Sequence, residues 1–155
     1  MTTARSTSAE PEAVLDEHRS IRASAEGLRA HLRAPSAAAR AAWLDRLGDD
    51  LEALAGLLRP HFAREEDDGG MFAVIETARP ESARECARLR AQHAGLLEGL
   101  AAVERKVRAR RHDARSIEGL RTAIRALLSD LSHHEASENA LLLHVMEGEE
   151  VGALD

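Results

Sequence analysis

The sequence predicts an all-α protein, an antiparallel four-helix bundle formed by one domain of the 155-residue chain. Hydrophobic residues make up 44% of the chain but aromatic residues only 2%, and the abundant Ala, Leu, Arg and Glu favour helix over strand. Apolar residues also recur every three to four positions along four long segments, which is typical of helices that bury one face. Segments of this length with short links fold as antiparallel neighbours.

Proline, glycine and capping residues indicate where the four helices begin and end. Pro11 and Pro80 suit the first turn of a helix, and Ser36 and Asp113 are candidate N-caps. The Asp-Asp-Gly-Gly stretch at 67–70 ends the second helix. The predicted helices span about 11–33, 36–66, 80–111 and 113–147.

The predicted domain covers residues 11–147. We expect residues 1–10 to form a disordered N-terminal tail and residues 148–155 to form an acidic C-terminal tail. The segment 67–80, which begins acidic and continues through a short apolar piece, is either a lid over one end of the bundle or an ordinary connection.

Charge and composition exclude several classes of function. The formal net charge of -6 and the absence of a basic stripe argue against a nucleic-acid partner. No apolar run is long enough to cross a membrane, and residues 1–10 lack the apolar core of a secretion signal. A single cysteine, Cys86, excludes an internal disulfide, so we expect a cytoplasmic protein. Cys86 itself is either a small buried hydrophobe or a redox group.

The predicted buried face of each helix is apolar except at a few positions. In the first helix, this face carries Val14, His18, Ile21, Ala25, Leu28 and Leu32. In the second, it carries Leu47, Leu51, Leu54, Leu58, His61 and Glu65. In the third, it carries Cys86, Leu89, His93, Leu96, Leu100, Val103 and Val107. In the fourth, it carries Ile117, Leu120, Ile124, Leu127, Leu131, His134, Glu138, Leu141 and Val145.

The six polar residues on these faces predict a metal site. A buried carboxylate without a partner costs several kcal/mol, and no Lys or Arg lies on these faces to pair with Glu65 or Glu138. Antiparallel helices would bring all six residues to the same end of the bundle. Each glutamate follows a histidine by four residues, so the two side chains share one helix face about 6 Å apart along the axis. The predicted ligands are His18, His61, Glu65, His93, His134 and Glu138.

The other four histidines do not fit this pattern. His31, His133 and His144 each lie one position away from the predicted buried face, and His112 lies in a predicted turn. His133 is the main alternative ligand, because it is adjacent to His134.

Four sequence segments together resemble the hemerythrin-like, or HHE cation-binding, family. They are LDEHRSIR at 15–22, HFAREE at 61–66, LRAQH at 89–93 and HHEASENAL at 133–141. The resemblance covers residues 12–147 and implies an up-down-up-down bundle with a non-haem di-iron centre; myohemerythrin is a known example of that topology. It also implies that the four histidines are terminal ligands and that Glu65 and Glu138 bridge two iron ions together with an oxo or hydroxo group.

The chain differs from the oxygen-carrying members of that family. Leu97 stands where they have a histidine four residues after the one matching His93. Glu138 follows His134 by four residues, where they have an aspartate five residues on. The resulting four-histidine, two-glutamate set resembles that of relatives linked to nitric oxide, peroxide and iron-centre repair.

The predicted function is therefore the binding or reaction of a small oxidant, namely O₂, peroxide or nitric oxide, at two iron ions. Imidazole and carboxylate ligands also suit manganese. Two classes of function remain open: an enzyme of peroxidase, catalase-like or oxidase type, and a non-catalytic protein that binds, senses or stores O₂, nitric oxide or iron. The expected partner is a small molecule.

Overall fold

The computed structural model describes residues 11–110 and 117–152. These residues form α-helices and short 3-10 turns, and no strand occurs among them. The α-helices are α1 (Pro11–His31), α2 (Arg40–Glu66), α3 (Met71–Ala78), α4 (Ala83–Arg110) and α5 (Glu118–Gly152). Four of the described helices are long, as predicted, and the short α3 is additional.

The long helices form a bundle in which each packs against two others. Helix α1 contacts α2 and α5, and helix α4 contacts α2 and α5. The larger of two apolar clusters consists mainly of buried leucines and includes Leu28, Leu54, Leu100 and Leu131. This cluster lies on one side of the polar site and holds the four helices in register.

The segment predicted as a lid or a connection contains helix α3, which packs over the end of the bundle. Met71, Phe72 and Ile75 are at most 1% exposed and lie in a second apolar cluster with Cys86 and Leu89. Burying three large apolar side chains stabilises the fold by several kcal/mol, at about 1.5–3 kcal/mol each. The segment is therefore a packed cap, and Cys86 contributes to it as a small buried hydrophobe.

Gly70 permits the sharp turn between α2 and α3. A Cβ atom at this position would lie 2.3 Å from the Arg64 carbonyl oxygen and 2.5 Å from the Glu65 carbonyl oxygen. Only glycine allows such a close backbone approach, and the turn closes with a hydrogen bond from the Gly70 amide to the Asp67 carbonyl.

Several predicted helix boundaries shift by a few residues. Helix α2 begins at Arg40, after a 3-10 turn. Ser36 precedes that turn but makes no side-chain capping hydrogen bond. Helix α4 begins after a second 3-10 turn, at Pro80–Ser82. Helix α5 extends to Gly152, beyond the predicted end at 147. The predicted cap Asp113, the turn at His112 and the tail 1–10 lie outside the described residues.

The predicted buried face is correct for α1, α2 and α4 but wrong at three positions of the predicted fourth helix. Leu127 and Leu141 are only partly buried, as is Ile117, which lies just before the helix. Leu128 and Leu142, one residue further along, are each at most 2% exposed. A straight helix has 3.6 residues per turn, so its buried face drifts against a strict 3-4 repeat over so many turns.

The described helices include none that is long and apolar enough to cross a membrane.

Candidate metal centre

The six predicted ligands come together inside the bundle. Helix α1 supplies His18, α2 supplies His61 and Glu65, α4 supplies His93, and α5 supplies His134 and Glu138. Each is at most 3% exposed. Candidate ligand atoms cluster in two groups that share Glu138: His18, His61, Glu65 and Glu138 form one, and His93, His134 and Glu138 form the other.

The carboxylate of Glu65 faces both pairs of histidines. Its Oε1 lies 3.0 Å from His61 Nε2 and 3.3 Å from His18 Nε2. Its Oε2 lies 3.4 Å from His93 Nε2. The two oxygens of one carboxylate therefore point to opposite halves of the site.

The carboxylate of Glu138 has the corresponding arrangement from the other side. Its Oε1 lies 2.7 Å from His134 Nε2 and 3.2 Å from His93 Nε2. Its Oε2 lies 3.3 Å from His18 Nε2. Ligand atoms at right angles around an ion, about 2 Å from it, are separated by about 3 Å, so these distances fit atoms that share a metal ion.

All four histidines are oriented alike, with Nε2 turned inwards and Nδ1 turned outwards. The Nδ1–H of His61 donates to Glu17 Oε2 at 2.6 Å, and that of His93 donates to Glu66 Oε1 at 2.6 Å. The other two Nδ1–H groups donate to amide oxygens: His18 to Asn139 Oδ1 at 2.6 Å, and His134 to Gln92 Oε1 at 2.8 Å. A proton on Nδ1 leaves the Nε2 lone pair available for a metal ion.

Several of the inward-facing atoms lack a hydrogen-bond partner. Among the described residues, His61 Nε2, His134 Nε2, Glu65 Oε2 and Glu138 Oε2 are buried without one, although carboxylate oxygens lie close to both nitrogens. Unpartnered buried polar atoms are costly, and four in one small volume indicate a site for a cation. Imidazole nitrogens and carboxylate oxygens together suit iron, manganese or zinc, so the residues present fit a metal centre.

The pKa shifts in the site show how strongly its carboxylates require positive charge. Burial by itself lowers the pKa of His18, but contacts with Glu138 and Glu65 outweigh burial and raise the pKa to about 10. Burial also lowers the pKa of His61, and its contact with Glu65 again raises it overall. For Glu138, burial acts to raise the pKa, yet the close contacts with His134 and His18 bring it well below its usual range.

Aromatic rings separate the site from the rest of the interior. Phe62 stacks on His93 with the ring centroids 3.9 Å apart and the planes 8° from parallel. Phe72 from the cap α3 also contacts His93, with the centroids 5.6 Å apart and the planes tilted by 40°, and the Arg90 guanidinium lies over the Phe72 ring. These contacts hold the imidazole in one orientation and exclude water from its faces.

Sequence periodicity did not identify the hydrogen-bond partners of the ligands, because they lie next to the buried face and not on it. Glu17, Glu66, Gln92 and Asn139 are each adjacent in the chain to a predicted ligand, and that adjacency is the available signal. Glu17 also pairs with Arg64 at 2.9 Å. Burial raises the pKa of Glu17, but the hydrogen bonds from Arg64 and His61 outweigh burial and lower it.

Glu135 is a further buried carboxyl that periodicity missed. It is 5% exposed, and its Oε1 has no hydrogen-bond partner among the described residues. Burial raises its pKa to about 6, although the charges of His18 and Arg22 oppose this.

Three of the other histidines lie away from the cluster. His133, the main alternative to His134, is exposed, as is His144. His31 pairs with Asp50 near the surface. His112 lies outside the described residues.

An open groove of about 730 Å³ runs between α4 and α5 and reaches one edge of the cluster. His133, Ser137 and Gln92 line one end of it, next to His134, and Leu96, Val103 and Leu127 line its apolar floor. Gln92, whose Oε1 accepts the hydrogen bond from the Nδ1–H of His134, is therefore accessible from outside the bundle.

Comparison with known proteins agrees with this geometry. Residues 9–146 match the model of the hemerythrin HHE cation binding domain. Neither a curated protein nor a solved structure matches the chain. Because the family match covers most of the sequence and includes every residue of the cluster, the chain belongs to the hemerythrin HHE cation-binding domain family.

Proposed function

We propose that this protein is a non-haem di-iron protein that binds or reacts with O₂, peroxide or nitric oxide. His18 and His61 would hold one iron ion, His93 and His134 would hold the other, and the carboxylates of Glu65 and Glu138 would be shared between the two. The arrangement of the two carboxylates carries the proposal, since each has one oxygen facing each pair of histidines.

The contacts also support an up-down-up-down connection of the four long helices. His18 near the beginning of α1 lies against Glu65 near the end of α2. His93 in the first half of α4 lies against Glu138 in the second half of α5. Both contacts are those expected when consecutive long helices run in opposite directions.

The protein's own residues bind and orient the ions and keep the site dry. The acceptors on each Nδ1–H hold the imidazoles in the tautomer that ligates through Nε2. Phe62 and the α3 cap keep water from the faces of His93. The ions would supply electrons and an open coordination position for the small oxidant. Leu97, which replaces a histidine of the oxygen carriers, packs against the apolar cluster and provides no ligand.

Iron content together with the visible spectrum tests the proposal. The protein would be loaded with Fe²⁺ without oxygen, freed of loosely bound iron, and then exposed to air. We expect about two iron ions per chain and a charge-transfer band that appears on exposure. One ion or none per chain, with no band, would contradict the di-iron assignment.

The second candidate is a protein that binds, senses or stores O₂, nitric oxide or iron without turnover. The same buried cluster favours it, because Glu135 is the one buried polar side chain of the described residues besides the six proposed ligands. Peroxide consumption by the iron-loaded protein distinguishes the two. Catalytic turnover identifies an enzyme, whereas stoichiometric and reversible binding identifies a carrier, sensor or store.

A further inference from the structure

The four outward hydrogen bonds of the site form a closed ring around the bundle. Glu17 on α1 accepts from His61 on α2, and Glu66 on α2 accepts from His93 on α4. In the same order, Gln92 on α4 accepts from His134 on α5, and Asn139 on α5 accepts from His18 on α1. Each long helix therefore orients the histidine of the next helix, and the last orients the first.

The ring also has an internal two-fold pattern in the sequence. In α1 and α4 the acceptor is the residue before the ligand histidine, namely Glu17 and Gln92. In α2 and α5 it is the residue after the ligand glutamate, namely Glu66 and Asn139. The first pair of helices supplies two carboxylates, whereas the equivalent positions in the second pair supply two amides.

This distribution gives each half of the site one carboxylate partner and one amide partner. His18 and His61 are held by Asn139 and Glu17, and their counterparts His93 and His134 are held by Glu66 and Gln92. With Glu65 and Glu138, the proposed ligands and their hydrogen-bond partners include four carboxylates, whose summed charge is equal and opposite to that of two divalent cations. Arg64 offsets part of the charge of Glu17, but Glu66 has no ion-pair partner other than His93 among the described residues.

We infer that Glu17, Glu66, Gln92 and Asn139 are positioning residues that set both the orientation of the four histidines and the charge of the metal centre. This inference rests on the proposed function. A hydrogen-bonded carboxylate makes an imidazole ligand more basic and favours the more highly charged state of a metal ion, and an amide does so less. The two carboxylates should therefore stabilise bound and oxidised metal, and Glu66 should do so more strongly than Glu17.

Charge exchange within the ring tests this inference. Glu66→Gln and Glu17→Gln keep an acceptor but remove a charge, and Gln92→Glu adds one. We expect Glu66→Gln to weaken Mn²⁺ binding about 10-fold or more, within the 10–100-fold effect of such outer residues, and Glu17→Gln to weaken it less. In the iron-loaded protein, the midpoint potential should rise in both Gln variants and fall in Gln92→Glu. Glu52→Gln is the control, since Glu52 is exposed on α2 and about 20 Å from Glu65 along the helix.

A structural role alone would give a different result. The inference would be overturned if Gln92→Glu moved the potential in the same direction as the two Gln variants, or if all three variants kept the parent value. Glu66→Ala, which removes the hydrogen bond as well as the charge, should weaken Mn²⁺ binding further than Glu66→Gln.

A measurement on the metal-free protein separates the ring from the metal centre. Proton–nitrogen NMR spectra should show four slowly exchanging Nδ1–H signals, and Glu66→Ala should remove the signal of His93. If these signals are present but the parent protein binds no metal, the proposed function fails while the ring stands. If the parent binds two ions but the four signals are absent, the ring fails while the proposed function stands.

Discussion

At the residue scale, the central observation is that two glutamates are buried among four imidazoles and form no ion pair with a Lys or Arg of the described residues. Glu65 and Glu138 are 2% and 0% exposed. Their oxygens face the Nε2 atoms of four histidines, which hydrogen bonds at Nδ1 hold in place. Each glutamate is therefore expected to be essential for holding a pair of ions, and not one ion only.

If the proposed bridging role holds, replacing either Glu65 or Glu138 should prevent the binding of two metal ions. We expect Glu65→Ala and Glu138→Ala to bind one iron ion per chain or none, because each carboxylate has an oxygen facing both pairs of histidines. Metal analysis after removal of loosely bound iron measures this. His133→Ala is the control, since His133 is exposed and should leave the iron content unchanged. A Glu138→Ala variant with two ions per chain would contradict the bridging role.

Glu135 should lower the stability of the metal-free protein at neutral pH. Its pKa is raised by burial from 4.5 to about 6, so the folded state favours the protonated carboxyl. The stability associated with the protonated Glu135 carboxyl is fully present below pH 4.5 and is lost as the pH rises through 6. At pH 7 the ionised group then costs about 2 kcal/mol, at about 1.4 kcal/mol for each pKa unit.

Glu135→Gln should therefore raise the free energy of unfolding by up to about 2 kcal/mol at pH 7, and by much less at pH 4.5. Urea unfolding of the metal-free protein at both pH values checks this. An equal gain at the two pH values would show that the change acts through packing and not through ionisation.

At the element scale, the short helix α3 closes the end of the bundle that contains the site. Its buried side chains Met71 and Phe72 lie in the second apolar cluster, and Phe72 contacts His93. The turn before α3 depends on Gly70, whose Cα lies against the last carbonyl groups of α2. The geometry of this turn therefore couples the cap to the helix that carries His61 and Glu65.

Gly70→Ala should destabilise the protein and loosen the cap. A Cβ atom 2.3 Å from a backbone oxygen forces the chain to move, and overpacking of this kind typically costs about 1–3 kcal/mol. Thermal unfolding measures the loss. Gly56→Ala is the matched control, because nothing lies within 4 Å of a Cβ atom there. That helical position should gain about 0.5–1 kcal/mol. Equal effects at the two glycines would contradict the close approach at Gly70.

At the scale of the whole molecule, protons and metal ions compete for one set of buried groups. In the metal-free protein, the contacts of His18 with Glu138 and Glu65 raise its pKa to about 10, against the effect of burial. The pKa of His61 is also raised. These imidazoles must lose the Nε2 proton before they can ligate, so metal binding and proton release are linked.

Metal binding should release at least about one proton per chain at pH 7.5, and the affinity should increase with pH. Calorimetric titration with Mn²⁺ in buffers of different ionisation enthalpy measures the number of protons. In the metal-free protein, the stability that His18 contributes is present below pH 6.5 and is lost as the pH rises towards 10. Metal binding without proton release would show that His18 is neutral in the metal-free protein.

The sequence by itself determined the helices and the residues of the cluster. Helix-favouring residues and an apolar repeat predict all four long segments, because the burial of one helix face requires that repeat. The same repeat selects His18, His61 and His93, since a polar residue on a buried face is conspicuous against its apolar neighbours. It also sets His133 apart from His134, because adjacent residues in a helix point in different directions.

Only the tertiary structure decided which side chains hold those ligands and how the site is closed. Glu17, Glu66, Gln92 and Asn139 lie at the edge of the buried face, where polar residues are ordinary, and each serves a histidine on another helix. Their role depends on how neighbouring helices are rotated against each other. The apolar repeat within one helix carries no information about that rotation. The packing of α3 over the site likewise depends on contacts between distant parts of the chain.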